Sequence, residues 1–544
     1  MPDIGPVVLL VLGVVVVNGL AGRIRMPAPI LLVIVGVAVS FVPGMPVVQV
    51  DPELILTVLI PPLLYAAATE SSVVAIRSLL RSIFQLAVGM VLVTAFAVAT
   101  VVYLLIPGIP FAAGLALGAI VAPPDAVAAV AVARRAGLPR RVVTVLEGES
   151  LFNDATSLVL LRVALVGVAV GSMSWGEAVV EFAWATVGGL LIGGAVGWVL
   201  SWGRRLSGSA LATTAVSLVA PFVAYLLGER AEASGVLAVV TTGLVLGFRA
   251  PYDLAPDVRL TLRATWSTIQ YVLEGTVFAL IGLQLWAIVT APDIGRRPVL
   301  LISGAVLLTV ILIRPVWIFL LNGIGRLFRR SGAIGDWRPL AAVSWAGMRG
   351  VVSLAAAQTL PLDTPYRPLL LTCTIVVILG TLVVQGLSLP RVISWLHFPG
   401  DPAAEIDAER MAARDEANKA IAEAVERDIA DRNIPDDQAR RMRLWVETRD
   451  WRRLAEKRSK SIDDTGRVLT GMADWNREMM RIERDVFVQL RNSGRLSEEV
   501  MREIEYGLDL EEALLDQRID AMSGHLDQLR GQQDDDDPNG AAPA

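Results

Sequence analysis

The chain has 544 residues, 54% of them hydrophobic, and a mean hydropathy of +0.58, too apolar for a soluble protein of this length. Its formal charge of −5 conceals a segregation: residues 1–400 hold 18 acids and 25 arginines, whereas 401–544 hold 35 acids and 23 bases. The single Cys373 excludes an intrachain disulfide and a thiolate cluster, and His397 and His525 both lie outside the apolar segments, which excludes histidine-based catalysis within a membrane.

Apolar windows of about 17–25 residues can cross ~30 Å of hydrocarbon. The sequence predicts thirteen: 4–21, 27–43, 53–69, 83–106, 111–133, 142–170, 177–202, 209–228, 233–250, 266–290, 298–322, 338–360 and 366–391. The first lacks a preceding basic region and is followed by Arg23 and Arg25, so it reads as a span rather than a cleaved signal. Alternate loops carry 17 arginines, while the other six carry only Arg230, Arg296, Arg297 and Arg367. The positive-inside rule places the arginine-rich side in the cytoplasm, with the N-terminus outside and the C-terminal tail inside. The expected organisation is a membrane domain over 1–399, a cytoplasmic helical regulatory or accessory domain over 400–532, and a disordered acidic end over 533–544. Charged helices are expected at 403–432, 435–460 and 466–530; Ile504, Leu508 and Leu515 give the last a partly amphipathic pattern. Nothing in the tail is catalytic in character.

The fifth span contains Pro123-Pro124-Asp125. Tandem prolines remove two backbone donors and predict a broken helix, tolerated at membrane depth only beside protein or a water-filled cavity. In the sixth span, Asp154 lies about 18 Å from the basic loop ending at Arg141, near the bilayer centre. A carboxylate at that depth is costly unless a cation, a proton or water compensates it, so both aspartates read as ion-handling residues. Ser150 and Ser157 share the helical face of Asp154. With Asp125 and freed carbonyls they offer an all-oxygen shell suited to a hard cation such as Na⁺, although both hydroxyls also fit ordinary interhelical packing. Asn153 can hydrogen-bond the freed backbone of the fifth span.

Glu149 is the natural counter-ion for Arg314 in the eleventh span, a structural pair. Arg349 lies between Gly347 and Gly350 in the twelfth span, where a second interruption is expected and a cation offsets half-helix C-terminal dipoles. Glu274 in the tenth span reads as a gate or ion-pair member, while Arg162 carries no assigned role. Interruptions in the fifth and twelfth spans occupy matching positions of two six-helix halves that run in opposite directions. That is the mark of inverted repeats with two crossing broken helices.

These residues resemble the sodium/proton exchanger family, the electroneutral branch of the monovalent cation:proton antiporters. Gly148-Glu149-Ser150-Leu151-Phe152-Asn153-Asp154 is similar to its ion-binding signature, Pro124-Asp125-Ala126-Val127 to its unwound motif, and Gly347-Met348-Arg349-Gly350 to its later Gly-Leu-Arg-Gly. The resemblance covers residues 4–391. It implies an all-α polytopic homodimer in which Asp154 binds cation and proton alternately, assisted by Asp125 and Ser150. Glu149 and Arg314 would form the structural pair, with Arg349 and Pro124 supporting the crossing helices. Ala66 stands where many relatives carry an acid, which argues against a third ligand from the third span. Asn153, where the electrogenic branch has a second Asp, implies one proton per cation. The expected activity is Na⁺/H⁺ exchange across the plasma membrane by alternating access, with no cofactor, no catalytic residue and no nucleic-acid partner. A cation channel is the alternative, and an intramembrane aspartyl protease a more distant one, since neither aspartate has the flanks of that class.

Overall fold

The computed structural model describes residues 5–24, 28–42, 55–125, 129–130, 137–170, 175–206, 209–289, 296–327, 336–398, 402–448 and 462–535. The described residues are helical with intervening turns. In chain order the helices are α1 (Gly5–Ile24), α2 (Ala28–Ser40), α3 (Ile60–Thr69), α4 (Val73–Phe84), α5 (Val91–Leu105), α6 (Phe111–Val121), α7 (Arg140–Val170), α8 (Trp175–Leu206), α9 (Ala210–Arg230) and α10 (Gly235–Asp253). They continue with α11 (Pro256–Val289), α12 (Arg296–Leu327), α13 (Trp337–Trp345), α14 (Val351–Gln358), α15 (Arg367–Thr381), α16 (Leu387–Leu396), α17 (Pro402–Asp431), α18 (Asp436–Thr448), α19 (Ile462–Asn492) and α20 (Glu498–Asp535).

Seven helical segments of 19 to 33 residues are long and apolar enough to cross a membrane. They fall on the windows at 83–106, 142–170, 177–202, 209–228, 233–250, 298–322 and 366–391. Four shorter apolar helices fall on 4–21, 27–43, 53–69 and 111–133. The window at 266–290 lies on α11, and that at 338–360 is divided between α13 and α14. Both predicted interruptions are present: α6 stops at Val121 before two prolines, and residues 346–350 are non-helical between α13 and α14. The residues that follow Asp125, 126–128, lie outside the described residues.

The chain divides into two units. In the first, α5 packs on α6 and α12, α6 on α7, α14 on α6 and α15, and α12 on α15. This bundle carries both interruptions. A second set joins α8, α9 and α10 with α3. Glycines permit close approach where α2 meets α11: a Cβ on Gly36 would stand 2.7 Å from the Ala279 carbonyl oxygen. Leu191, Leu211, Leu300 and Leu301 remain exposed on helices whose other faces are packed, as lipid-facing side chains do.

The second unit comprises residues 254–261 and 403–544. Its interior gathers Ala413 and Ala417 of α17, Phe487 and Val488 of α19, and Val500, Met501, Ile504 and Leu508 of α20. The amphipathic pattern of α20 is therefore its packing face. Helix continues to Asp535, three residues into the 533–544 end expected to be disordered; residues 449–461 and 536–544 lie outside the described residues. Arg259 is buried here against carboxylates of α20, donating from Nε to Asp509 Oδ2 at 2.9 Å and standing 3.5 Å from Glu505. Burial pushes the Glu505 carboxyl above the usual glutamate range, against the opposing pull of Arg259. A raised carboxyl contributes stability that is fully present below its unfolded pKa of about 4.3 and lost as pH rises through the folded value. Glu505→Gln is therefore expected to raise the unfolding temperature of this unit, followed in the full chain, at pH 7.5. The gain should shrink towards zero near pH 4.5, and a gain independent of pH would contradict the linkage.

Candidate functional site

The two interruptions meet. The Asp125 backbone N–H donates to the Met348 carbonyl oxygen at 2.6 Å, so the end of α6 and the strand between α13 and α14 are hydrogen-bonded where they cross. Such free backbone is costly in a membrane unless every group finds a partner. Arg349 supplies several. Fully buried, it donates from Nε to the Val121 carbonyl at 2.9 Å and from Nη2 to the Ala122 carbonyl at 3.2 Å, and its Nη1 contacts the Gly347 carbonyl. Its guanidinium thus covers the C-terminal carbonyls of α6, where the helix dipole presents partial negative charge.

Arg314 does the corresponding work for α13. Its Nε donates to the Val343 carbonyl at 2.9 Å, near the C-terminus of α13. Its Nη1 and Nη2 donate to Glu149 Oε1 and Oε2 at 2.5 and 2.7 Å, and both side chains are buried to 1% exposure or less. Fork-to-fork geometry of this kind is the strongest arrangement open to an arginine and a carboxylate. Glycine is needed between the two arginines: a Cβ on Gly347 would lie 2.9 Å from Arg314 Cδ and 3.0 Å from Arg349 Nη1.

Asp154 sits near the middle of the uninterrupted α7, 6% exposed, within electrostatic range of Asp125. The Asp125 carboxylate lies where a Cβ on Gly350 would stand, beside the N-terminus of α14. That helix end offers its positive dipole to the carboxylate. Asn153 is fully buried and donates from Nδ2 to the Pro124 carbonyl at 3.2 Å, tying α7 to the broken backbone. Ser150 is half-buried on the same helix. Ser157 donates to the Ala119 carbonyl at 2.8 Å. That bond joins α7 to α6.

Glu274 is half-buried on α11 and accepts from Gln270 Nε2 at 2.6 Å, within the electrostatic field of Asp125 and Glu70. Arg162 is bound to Glu229, from Nη2 to Oε1 and Oε2 at 3.0 and 2.8 Å, so it joins α7 to α9. Three positions were not legible as members of this region. Gln270 precedes Glu274 by one turn; only their spacing could have suggested the bond. Thr381 accepts the Arg349 backbone N–H at 3.0 Å, a contact between residues 32 apart for which the sequence has no signal. Tyr65, next to Ala66, joins Ser217 at 3.2 Å and accepts from Arg204 at 3.1 Å in a buried hydroxyl network. Among the described residues no group of three His, Cys, Asp or Glu side chains could hold a metal ion as a cage.

Comparison with known proteins bears on what this arrangement does. The sodium/hydrogen exchanger transmembrane family model matches residues 7–395. An uncharacterized Na⁺/H⁺ exchanger of Mycobacterium tuberculosis is 32% identical over 530 residues, 95% of this chain and 96% of that protein. The Na⁺/H⁺ antiporter ApNhaP of Aphanothece halophytica is 29% identical, covering 89% of this chain and 92% of the relative. The sodium proton antiporter MjNhaP1 of Methanocaldococcus jannaschii superposes with a TM-score of 0.61 at 19% identity, over 72% of this chain and 98% of that structure, which shows the shared fold. Neither a channel nor a protease is named among these relatives. The chain is a multi-pass membrane protein that belongs to the sodium/hydrogen exchanger family, whose work is the exchange of a monovalent cation for a proton.

Proposed function

We propose that this protein exchanges one Na⁺ for one H⁺ across the plasma membrane, with Asp154 as the carboxylate that holds cation and proton in turn. The observation that carries this reading is that Asp154 lies within electrostatic range of Asp125 beside two hydrogen-bonded helix interruptions. Glu149 and Arg314 neutralise each other, and Arg349 faces helix C-termini. Asp125 lies beside the N-terminus of α14, where the helix dipole favours negative charge, and this reading takes Asp154 as the group whose occupancy changes. Asp125, Ser150 and backbone oxygens complete the shell around the ion. Pro124 supplies the carbonyl that fixes Asn153, and Glu274 gates the approach from α11.

A bare Asp154 carboxylate is too costly to carry through the bilayer, so the site reorients only when a cation or a proton neutralises it. Each cycle then moves one charge each way. Asn153 supports this count, since its amide donates to Pro124 where a second carboxylate would add another charge. The same reading takes the thirteen spans as two inverted six-helix repeats around a further helix, the N-terminus as external, the tail as a cytoplasmic regulatory domain, and the working form as a homodimer. The physiological role would be pH and Na⁺ homeostasis.

Stoichiometry is checked in proteoliposomes by following internal pH after a Na⁺ pulse, with the membrane potential clamped by K⁺ and valinomycin. Exchange of one for one is expected to proceed at the same initial rate at 0 and about −100 mV, because no net charge crosses; a charge moved per cycle would be worth ~2.3 kcal/mol at that potential. A clear potential dependence would overturn the one-for-one count and leave the exchange itself standing.

A further inference from the structure

Between α15 and α16 the chain makes a π-helical turn, Leu382–Gly386. Turns of this kind widen a helix locally and recur at functional positions. Gln385 lies within it, fully buried, and neither its Nε2 nor its Oε1 has a hydrogen-bond partner among the described residues. Its neighbours show what it lies beside. Four residues earlier, Thr381 Oγ1 accepts the Arg349 N–H at 3.0 Å. Three residues later, Ser388 Oγ accepts from Trp345 Nε1 at 2.7 Å. A Cβ on Gly386 would stand 3.0 Å from Met348 Sδ. Residues 381–388 therefore run beside the end of α13 and the non-helical strand 346–350, and Gln385 sits between a hydrogen bond to Arg349 and another to Trp345.

A glutamine amide brings two donors and an acceptor oxygen, and burying them unmatched destabilises a fold relative to an apolar side chain of the same size. The surroundings would accept such a side chain: Met348, Leu354, Ile378, Leu382 and Leu389 form one apolar cluster here. The strand opposite is backbone without helical hydrogen bonding, and it also carries Met348, whose carbonyl takes the Asp125 N–H. A change in occupancy at Asp125 and Asp154 that shifts this strand would carry its N–H and C=O groups past the Gln385 amide.

We propose that Gln385 is a positioning residue for exchange, its amide engaging the backbone of Ala346–Gly350 as the crossing strand moves between the two access states. It touches neither ion nor proton. Its contribution falls on the rate of reorientation, not on the affinity for the cation. The proposal rests on the exchange reading given above.

The test uses Gln385→Met and Gln385→Leu in the full chain, purified and reconstituted. Three quantities are read: unfolding temperature, the rise in that temperature on adding Na⁺, and the initial exchange rate as a function of Na⁺ concentration. Both variants are expected to be as stable as the unmodified protein or more so, and to keep the full Na⁺-induced rise. The maximal rate should fall at least tenfold, with half-saturating Na⁺ changed by less than twofold. Rates within twofold of the unmodified protein overturn the proposal. A lower unfolding temperature in both variants also overturns it, because the amide would then be satisfied in the resting structure. Loss of the Na⁺-induced rise would make Gln385 part of the ion site and overturn it likewise. Absence of exchange from the unmodified protein defeats the exchange reading itself, and this proposal with it.

Discussion

Asp154→Asn is expected to abolish Na⁺-driven proton movement in everted vesicles, by at least ~100-fold, or about 2.7 kcal/mol at 1.36 kcal/mol per tenfold. The protein should still reach the membrane in normal amounts. Both halves of the expectation come from the same physics. A carboxamide keeps the shape of the side chain but neither titrates nor carries the negative charge that holds a cation. The site would be permanently neutral and unable to exchange one occupant for the other. Replacing a buried carboxylate by a neutral isostere also removes a desolvation cost, so folding has no reason to suffer. Yield is read from detergent-solubilised protein by size exclusion, and flux from dequenching of a pH-sensitive dye on Na⁺ addition. Full residual exchange in a normally inserted variant would defeat the assignment of Asp154. Asp125→Asn, tested in parallel, is expected to weaken Na⁺ dependence while leaving some exchange, because Asp125 assists a site that Asp154 defines.

The second large effect is on folding. Glu149→Gln leaves Arg314 charged, fully buried and without its carboxylate, and removing one member of a buried pair costs roughly 3–5 kcal/mol. Domain stabilities are themselves only ~5–15 kcal/mol, so membrane yield and unfolding temperature should both drop sharply. Arg314→Gln should cost more, because the Val343 carbonyl at the end of α13 loses its donor as well. The charge-reversed double variant, Glu149→Arg with Arg314→Glu, is expected to recover part of the loss and not all of it. It restores neutrality, whereas a glutamate on α12 accepts hydrogen bonds and donates none to Val343. Normal yield from Glu149→Gln, or a double variant no better than either single one, would show that this pair does not hold α7 to α12. Two acids five residues apart on one helix should give opposite phenotypes, one losing transport and the other losing the protein.

Much of this site was legible in the sequence because membranes make polar residues informative. Water does not compensate a charge in hydrocarbon, so each buried ionisable residue must have a partner or a function. That constraint singles out Asp125, Asp154, Glu149, Arg314 and Arg349 before any coordinates exist. Proline chemistry is equally local, and Pro123-Pro124 breaks α6 wherever the rest of the chain lies. The arginine distribution across loops carries the predicted orientation for the same reason: it records the sidedness of short segments.

The sequence by itself determined the class: a polytopic helical membrane domain with two interrupted helices, followed by a charged helical tail. These follow from composition, from the length of hydrocarbon to be crossed and from single-residue backbone chemistry, all of which act over a few turns of chain. Only the tertiary structure decided which long-range pairs close. Arg349 reaches carbonyls 227 and 228 residues away, Asn153 grips Pro124, and Ser157 donates to Ala119. Gln385 comes to lie along the crossing strand, and Arg259 among tail acids 250 residues distant. Such contacts depend on how helices are stacked and rotated, and a helix exposes its whole circumference to possible partners. Spacing along the chain says which residues share a face. It cannot say which neighbour that face will meet.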